Sequence, residues 1–419
     1  MVVLLSSADA RDIETPPVQL AAAFQLPQVP NLSGPSADWR QFDSFYTFIV
    51  KRFGQDLSGE LRDSLGDAFL DSRYELASLV GKGGNPVPQL FVNGWQRLSP
   101  ILTKAAPGLP KQTAGQYSTF IEAADKLALV AGQGSKLGVA QISPDALRGL
   151  SRLVAPGSSG DPLAFTTGVD SALRNLLGFG SPLAAPNPSP LIRQSRLDFE
   201  RSLDSTRAFS LLSWLATDAN AAQATQTKLN GWVPDLKDLE AYLTEVRSML
   251  VELSAKLGGK SKLSAEHQIL YRQIVLTAAW QESCWRQYIR KGKNLTPLAS
   301  TTGDLGLMQV NRNTWRNVYD LKGLGGDIEY NGNAGAEILL YYLSRHAIKK
   351  NEDKAPEGNL ARATYSAYNG GPGAVSRYRL AKTPAALKKV DAAFWEKFQA
   401  VSAGHEMDVQ RCYEKGSTS

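Results

Sequence analysis

The hydrophobic and polar positions of the chain repeat with a helical period from Asp38 onward. Apolar residues lie three and four apart in "DWRQFDSFYTFIVKRFG", "SGELRDSLGDAFLDSRYELASLVG" and "PQLFVNGWQRLSPILTKA", and each stretch ends near Gly or Pro. Runs that alternate apolar and polar residues, as half-buried strands do, are scarce. The pattern therefore predicts an all-α protein.

The clearest of the predicted helices covers residues 235–257. Its apolar residues lie alternately three and four apart, namely Leu236, Leu239, Leu243, Val246, Leu250, Leu253 and Leu257. Asp235 after Pro234 is a candidate N-cap, and the pair Gly258 and Gly259 is expected to end the helix. Three heptads would also suit a coiled coil, but we favour a helix packed inside an α-domain, which is the commoner arrangement.

Segments rich in Pro, Gly and Ser divide the chain. Residues 1–37 are predicted to form an irregular Pro-rich tail. "APGSSGDPLAFTTG" and "GFGSPLAAPNPSP" break the helical pattern near residues 155–190, after which helices are expected to resume. We predict an N-terminal helical domain over residues 38–262 and a second domain with a C-terminal tail over residues 263–419, in agreement with a length of 419 residues.

Composition indicates an ordinary globular protein with an uneven distribution of charge. The chain is 43 % hydrophobic and 21 % charged, and it has no apolar run long enough to predict a membrane span. Residues 1–250 carry 22 basic and 24 acidic side chains (−2), whereas residues 251–419 carry 24 and 16 (+8). An anionic partner such as nucleic acid, anionic lipid or cell wall is therefore expected at the C-terminal part, although a solvated basic face needs no partner.

Two features of the sequence concern the compartment. "MVVLLSSADAR" contains the A-x-A of a signal-cleavage site, but only a short apolar stretch and no basic residue precede it, so the signal is incomplete in this sequence. We favour a truncated leader over a chance match. The two cysteines, Cys284 and Cys412, fit one disulfide or two free thiols.

Several common motifs are incomplete. "GGKSK" lacks the first glycine of a phosphate loop, because Ser254 stands in its place. The histidines His267, His346 and His405 form no zinc-binding pair, and none is fixed beside Cys284 as a base for a nucleophile. The basic and aromatic stretch "WRQYIRKGKN" belongs to no recognised nucleic-acid motif. We expect no metal, no cofactor and no nucleic-acid partner.

Glu282 is the one acidic residue in the otherwise apolar run "QIVLTAAWQESCW", between Trp280 and Trp285. Burial disfavours a charged carboxylate and raises its pKa. A carboxylic acid with a raised pKa can protonate the leaving oxygen of a glycosidic bond near neutral pH. The alternative is an exposed glutamate that pairs with Arg286 four residues later. From this stretch alone we favour the exposed glutamate, and only together with the segments described next do we predict that Glu282 is a catalytic acid.

Four segments occur in one order along the C-terminal part of the chain. They are "QESCW" (281–285), "GDLGLMQVN" (303–311), "DIEYNGNAGAEILLYYL" (327–343) and "ATYSAYNGG" (363–371). In this order, and within helical sequence, they resemble the catalytic domain of the soluble lytic transglycosylases and the related goose-type lysozymes. The resemblance covers about residues 265–405 and implies a lysozyme-like α catalytic domain.

The resemblance implies an enzyme that acts on peptidoglycan glycan strands. Such enzymes cleave the β-1,4 bond between N-acetylmuramic acid and N-acetylglucosamine and leave 1,6-anhydromuramoyl ends, with Glu282 as acid and then as base. They need no cofactor and no second carboxylate. Asp304 is nevertheless a candidate second acid, because goose-type lysozymes place assisting aspartates near this position. A hydrolytic muramidase on the same fold and a catalytically degenerate wall-binding protein are the alternatives.

Other roles follow from the resemblance by position. Ser283 would bind near the substrate's peptide or the acid, and Met308 and Gln309 would line the sugar cleft. The hydroxyl of Tyr368 would reach the catalytic carboxylate or the N-acetyl group, with Asn369 beside it.

Tyr365, one turn before this tyrosine, is expected to serve in packing. The loop "CWRQYIRKGKNLTPLASTTGD" is longer than is usual in the family. It is expected to add a basic lip beside the cleft, made by Arg286, Arg290, Lys291 and Lys293.

The resemblance also implies a periplasmic or other extracytoplasmic location, where the wall lies. In that compartment a disulfide between Cys284 and Cys412 would be favoured and would tie the tail to the catalytic helix. The N-terminal helical domain would position or restrict the catalytic domain on its polymeric substrate, and its protein partners remain unknown.

Overall fold

The computed structural model describes residues 36–80, 82, 84–136, 141–186 and 228–414. Residues 1–35 of the tail predicted over residues 1–37, and the predicted return of helices within residues 187–227, lie outside the described residues. Among the described residues the fold is predominantly helical, which confirms the predicted all-α class. No described helix is long and apolar enough to cross a membrane.

The N-terminal region contains six helices before residue 187 in the part of the chain that the structure describes. They are α1 (Trp39–Gly54), α2 (Gly59–Leu79), α3 (Val87–Ala105), α4 (Lys111–Lys136), α5 (Pro144–Val154) and α6 (Ser171–Leu177). The start of α1 illustrates how residues close together in the sequence stabilise the end of a helix. Asp38 accepts a hydrogen bond from the backbone N–H of Gln41, whose side chain accepts one from the backbone N–H of Asp38. This capping box satisfies two otherwise unpaired donors.

The structure describes seven α-helices after residue 228, and the second of them lies at their centre. They are α7 (Leu239–Lys260), α8 (Ala265–Ser283), α9 (Leu321–Gly326), α10 (Ile328–Tyr342), α11 (Leu360–Gly370), α12 (Ala385–Ser402) and the short α13 (Arg411–Glu414). A π-helical turn, Leu343–Ile348, follows α10. Helix α8 packs against α7, α10, α11 and α12, so the end of α8 lies among several helices.

Helix α7 begins and ends later than the pattern predicts. Its N-cap is Asp238 rather than Asp235, and Leu236 before it is 72 % exposed. The helix continues through Gly258 and Gly259 and ends at Lys260. It packs against α8 and α10, in agreement with a helix inside an α-domain. The predicted domain boundary after residue 262 stays a prediction.

Two short antiparallel strand pairs occur in the described part of the chain, both between α8 and α9. Strand β1 (Tyr288–Lys291) pairs with β2 (Asn294–Pro297), and β3 (Asp304–Leu305) pairs with β4 (Val310–Asn311). Runs of two to four residues are too short for an alternating pattern, which is why periodicity did not predict them.

A buried ion cluster joins the N-terminal helices to the segment between β4 and α9. The carboxylate of Asp43 on α1 accepts hydrogen bonds from Arg73 on α2 and from Arg316, and all three side chains are at most 3 % exposed. Arg73 also donates to the backbone carbonyls of Thr314 and Arg316. The N-terminal helices and the C-terminal region therefore share one continuous core.

Candidate active site

Glu282 lies in the last turn of α8, where the chain changes direction. The helix ends because Cys284 and Trp285 adopt left-handed backbone conformations, with φ of 52° and 60°. Trp285 is fully buried, and its indole N–H donates to the carbonyl of Leu276 at 3.1 Å. This turn fixes the end of α8 and leaves the carboxylate of Glu282 facing a cavity.

The cavity beside Glu282 has a volume of about 270 Å³. Its walls come from α2, α8, the β3–β4 region and α11, and consist of Tyr74, Ala77, Ser78, Glu282, Thr302, Asp304, Gln309, Val310, Asn311, Thr314, Trp315, Tyr368 and Asn369. The structure thus brings together five residues that the sequence singled out: Glu282, Asp304, Gln309, Tyr368 and Asn369. It adds a wall from α2 that nothing in the local sequence of this helix indicated.

The surroundings of Glu282 favour the protonated acid. Burial raises its pKa to about 7, and the charge of Asp304 acts in the same direction. The hydroxyl of Tyr365 donates to Oε1 of Glu282 at 2.9 Å and partly offsets the rise in pKa, because this bond favours the carboxylate. Glu282 can therefore carry a proton near neutral pH and still have a donor ready for its charged form.

The two tyrosines of "TYSAYN" have other contacts than those expected. Tyr365 does pack, with its ring stacked 4.1 Å from that of Phe394, but its hydroxyl also holds the carboxylate of Glu282. The hydroxyl of Tyr368 donates instead to the carbonyl of Met308 at 2.6 Å. Of the two contacts expected for the Tyr368 hydroxyl, the one with the carboxylate is wrong, because helical geometry turns Tyr365 towards α8 and Tyr368 towards the G-L-M-Q segment. The contact with the N-acetyl group of a substrate stays a prediction.

Ser283 and Met308 lie in the core next to the site and do not line the cavity. Ser283 is buried, and its hydroxyl donates to the carbonyl of Leu307 at 2.6 Å. Met308 is fully buried, and its side chain packs where a Cβ on Gly335 would stand. The predicted substrate contacts of both side chains are corrected accordingly, since each side chain points into the core.

Gln309 and Asn369 face the cavity, and each is held by one described neighbour. Gln309 has a left-handed backbone conformation (φ 46°), and its side-chain amide donates to the carbonyl of Gly306 at 2.8 Å. The side-chain oxygen of Asn369 accepts from Arg377 at 3.0 Å. Both residues therefore line the cavity, and their contacts with a sugar stay a prediction.

Asp304 lies on the same cavity as Glu282, and both of its oxygens are engaged. The hydroxyls of Ser300 and Thr302 donate to Oδ2, and the side-chain amide of Asn311 donates to Oδ1 at 2.8 Å. These three donors stabilise a charged carboxylate. No group of His, Cys, Asp or Glu side chains suited to a metal ion occurs within the described residues.

The long loop after α8 does not form a basic lip on the cavity. Arg286 stacks on the ring of Tyr413 at 4.2 Å and donates to the carbonyl of Cys412 at 3.2 Å. Arg290, Lys291 and Lys293 lie on the β1–β2 hairpin and are absent from the cavity walls.

Cys284 and Cys412 are joined in a disulfide with their Cα atoms 6.2 Å apart. The bond connects the residue after Ser283 with α13, near the C-terminus. It therefore ties the end of the helix that carries Glu282 to the end of the described chain.

One of three comparisons with known proteins gives a match. No curated protein and no solved structure gives a significant match to the chain. One family model does match, over residues 263–390, and it describes a transglycosylase SLT domain. The match includes Glu282, the β3–β4 region and α11, which together make most of the cavity. Residues 263–390 are therefore a transglycosylase SLT domain with a lysozyme-like, mostly α-helical fold.

Proposed function

We propose that this protein is a peptidoglycan lytic transglycosylase that cleaves the β-1,4 bond between N-acetylmuramic acid and N-acetylglucosamine. An SLT domain points to peptidoglycan as substrate and to lytic transglycosylase action in general. The observation that carries the finer proposal is a half-buried glutamic acid, Glu282, with a pKa near 7 on the wall of a polar cavity. Such an acid suits the protonation of a poor leaving group.

In the first step Glu282 gives its proton to the glycosidic oxygen while the bond from this oxygen to the anomeric carbon breaks. The carbonyl oxygen of the muramoyl N-acetyl group bonds to the anomeric carbon in its place. The hydroxyl of Tyr365, 2.9 Å from Oε1, then donates to the carboxylate that has formed. The negative charge that forms on Glu282 is thus stabilised by the Tyr365 hydroxyl, which is already in position.

In the second step the carboxylate of Glu282 removes the proton from the C6 hydroxyl of the same sugar. The C6 oxygen attacks the anomeric carbon, and the bond to the N-acetyl oxygen breaks. The product is a 1,6-anhydromuramoyl end, and Glu282 is again protonated. Because the C6 hydroxyl supplies both the attacking oxygen and the proton that returns Glu282 to its acid form, while the first proton leaves with the departing sugar, no water is consumed.

A hydrolytic muramidase is the second candidate, and the presence of Asp304 on the same cavity favours it. A water held between the two carboxylates would attack the anomeric carbon, as in glycosidases with two acids. Against this role, both oxygens of Asp304 already accept hydrogen bonds from Ser300, Thr302 and Asn311. These bonds suit an electrostatic or structural role better than that of a base.

Mass spectrometry of digested peptidoglycan separates the two candidates. We expect muropeptides with anhydro ends, each one water lighter than a hydrolytic product, and no heavy oxygen from labelled water. Reducing ends that carry heavy oxygen would overturn the transglycosylase in favour of the muramidase. Glu282→Gln is the control, and undiminished cleavage by it would remove Glu282 from the mechanism. Wall binding without cleavage by either form would indicate a degenerate site.

The proposal places the protein in the periplasm or another extracytoplasmic compartment, because its substrate lies there. The disulfide between Cys284 and Cys412 suits such an oxidising environment. Disulfide mapping of protein isolated from the native host under alkylating conditions would test this location, since free thiols at both positions would contradict it.

A further inference from the structure

The C-terminal end of α11 carries two residues of the cavity wall. Tyr368 and Asn369 occupy the last turn of this helix, and both line the cavity of the candidate active site. The helix ends there, because Gly371 after it has a φ of 91° and Pro372 has no backbone N–H. The end of α11 therefore needs other groups to satisfy its polar backbone atoms.

Tyr74 on α2 supplies one of these groups. A carbonyl in a helix accepts the N–H four residues later, and for the carbonyl of Tyr368 that residue is Pro372. The hydroxyl of Tyr74 donates to this carbonyl at 2.7 Å and takes the place of the missing N–H. The same hydroxyl accepts a hydrogen bond from that of Tyr342 on α10 at 3.3 Å, so two neighbours hold it in position.

Asp71 supplies the second group, from one turn before Tyr74 on the same face of α2. Its Oδ1 accepts a hydrogen bond from the backbone N–H of Gly373 at 2.9 Å. The absence of a side chain at Gly371 permits this approach, since a Cβ there would stand 3.0 Å from Oδ1 of Asp71 and 3.1 Å from the ring of Tyr74. Two side chains of α2, which lies outside the SLT domain, thus cap the end of α11.

The carboxylate of Asp71 is partly buried and takes part in no ion pair within the described ranges of the chain. Burial raises its pKa, and the hydrogen bond from Gly373 and the charges of Arg97 and Lys350 oppose this rise. Arg97 itself pairs with Glu75 at 2.7 Å. Partial desolvation of a carboxylate without a paired cation costs free energy. Its removal would relieve this cost, so it should affect the turn after α11 more than the stability of the fold.

We propose that Asp71 and Tyr74 are positioning residues, which hold Tyr368 and Asn369 on the cavity wall and thereby set the affinity for the glycan strand. This inference rests on the proposed function and gives α2 a part in substrate binding. Burial and two side chains outside α2 set the pKa of Glu282. The two residues of α2 should therefore act on binding rather than on proton transfer.

The test measures kcat and KM of the full chain on soluble glycan strands. Asp71→Ala leaves the N–H of Gly373 without its acceptor, and we expect KM to rise about tenfold with kcat changed by less than about twofold. Asp71→Asn keeps an acceptor oxygen at the same place and should bring KM back to within about threefold of the original value. The pH at which kcat/KM declines should be the same in both variants, because neither change touches Glu282.

Two further variants complete the comparison. Tyr74→Phe keeps the ring on the cavity and removes only the hydroxyl that donates to Tyr368, so KM should rise about threefold. Glu60→Ala removes a carboxylate from the exposed first turn of the same helix and should leave kcat and KM unchanged. Thermal unfolding of each variant shows whether the fold is kept, and if Asp71→Ala misfolds, Tyr74→Phe decides.

Hydrogen exchange tests the hold of α2 on the turn without any measurement of activity. Asp71→Ala should speed the exchange of the backbone amides of Gly371 and Gly373 at least about tenfold, because the turn opens more often. Asp71→Asn should leave both exchange rates close to those of the original protein.

The outcomes separate this inference from the proposed function. An unchanged KM in Asp71→Ala and Tyr74→Phe would overturn the positioning role, and so would an equal rise in KM for the alanine and asparagine variants of Asp71. If the original protein cleaves no glycan strand, the proposed function fails, and the claim about affinity fails with it. Hydrogen exchange then still shows whether α2 holds the end of α11.

Discussion

At the scale of single residues, the proton on Glu282 decides how activity depends on pH. Its pKa is raised to about 7, so the acid is protonated below this pH and ionised above it. We expect kcat/KM to fall as the pH rises through about 7, because only the protonated form can assist the leaving group. A pH profile on purified peptidoglycan measures this, and a rate that is constant from pH 6 to 9 would contradict it.

The hydroxyl of Tyr365 should influence the pH at which kcat/KM declines. Its hydroxyl donates to the carboxylate of Glu282 and thereby lowers the pKa of Glu282 relative to burial alone. Tyr365→Phe is expected to lower kcat/KM about tenfold and to move the decline to higher pH. Tyr368→Phe is the matched control, because that hydroxyl donates to Met308, and it should leave the position of the decline unchanged.

The same carboxyl group should reduce the stability of the fold at alkaline pH. The folded-state pKa of about 7 lies above the usual glutamate pKa of 4.5, so the native state binds the proton more tightly than the unfolded chain does. The stabilisation is fully present below about pH 4.5 and is lost as the pH rises through about 7. Glu282→Gln should therefore raise the free energy of unfolding by up to about 3 kcal/mol above pH 7 and by little at pH 4. Urea unfolding at both pH values measures the difference, and an equal effect at the two would contradict this cause.

At the scale of elements, α2 closes one side of the cavity. Tyr74 donates to the carbonyl of Tyr368 at 2.7 Å, and Ala77 and Ser78 follow it along the same wall. A helix from the N-terminal region therefore limits the space of the cavity in which we propose that the glycan strand binds. Sequence reasoning gave this region a positioning role in general and did not foresee that its side chains line the site.

Ser78→Trp tests the α2 wall. Ser78 is exposed and lines the cavity, so a tryptophan there should obstruct the strand without disturbing the core. We expect the rate on peptidoglycan to fall at least about tenfold with a nearly unchanged melting temperature. Ser118→Trp, on the exposed face of α4, is the matched control and should keep the rate. Equal rates for both variants would show that the strand does not pass α2.

At the scale of the whole molecule, the buried cluster of Asp43, Arg73 and Arg316 holds the N-terminal helices to the SLT domain. Asp43→Asn would leave two buried guanidinium groups without a counter-charge. We expect a loss of about 3–5 kcal/mol in the free energy of unfolding. Asp161→Asn breaks an exposed pair with Arg148 and should cost less than about 1 kcal/mol. Denaturant unfolding compares the two, and similar losses would contradict a structural role for the cluster.

The helical class and the resemblance to the SLT family could be predicted from the sequence, which also singled out Glu282 as the candidate acid. Helical period and N-caps are interactions between residues three or four apart, so the first three predicted helices lie within a few residues of α1, α2 and α3. The order of the short motifs predicted that Glu282, Gln309 and Asn369 share one site, and all three line the cavity.

Which side chains touch across the site depends on the tertiary structure. The packing of the chain turns Tyr365 towards Glu282, directs Met308 into the core and places α2 on the cavity. These outcomes depend on contacts between residues separated by tens to hundreds of positions, such as Tyr74 with Tyr368 and Tyr365 with Glu282. Local patterns do not predict contacts between residues so far apart in the sequence. The face that a helix buries depends on its neighbours, and the packing of the whole chain determines which elements these neighbours are.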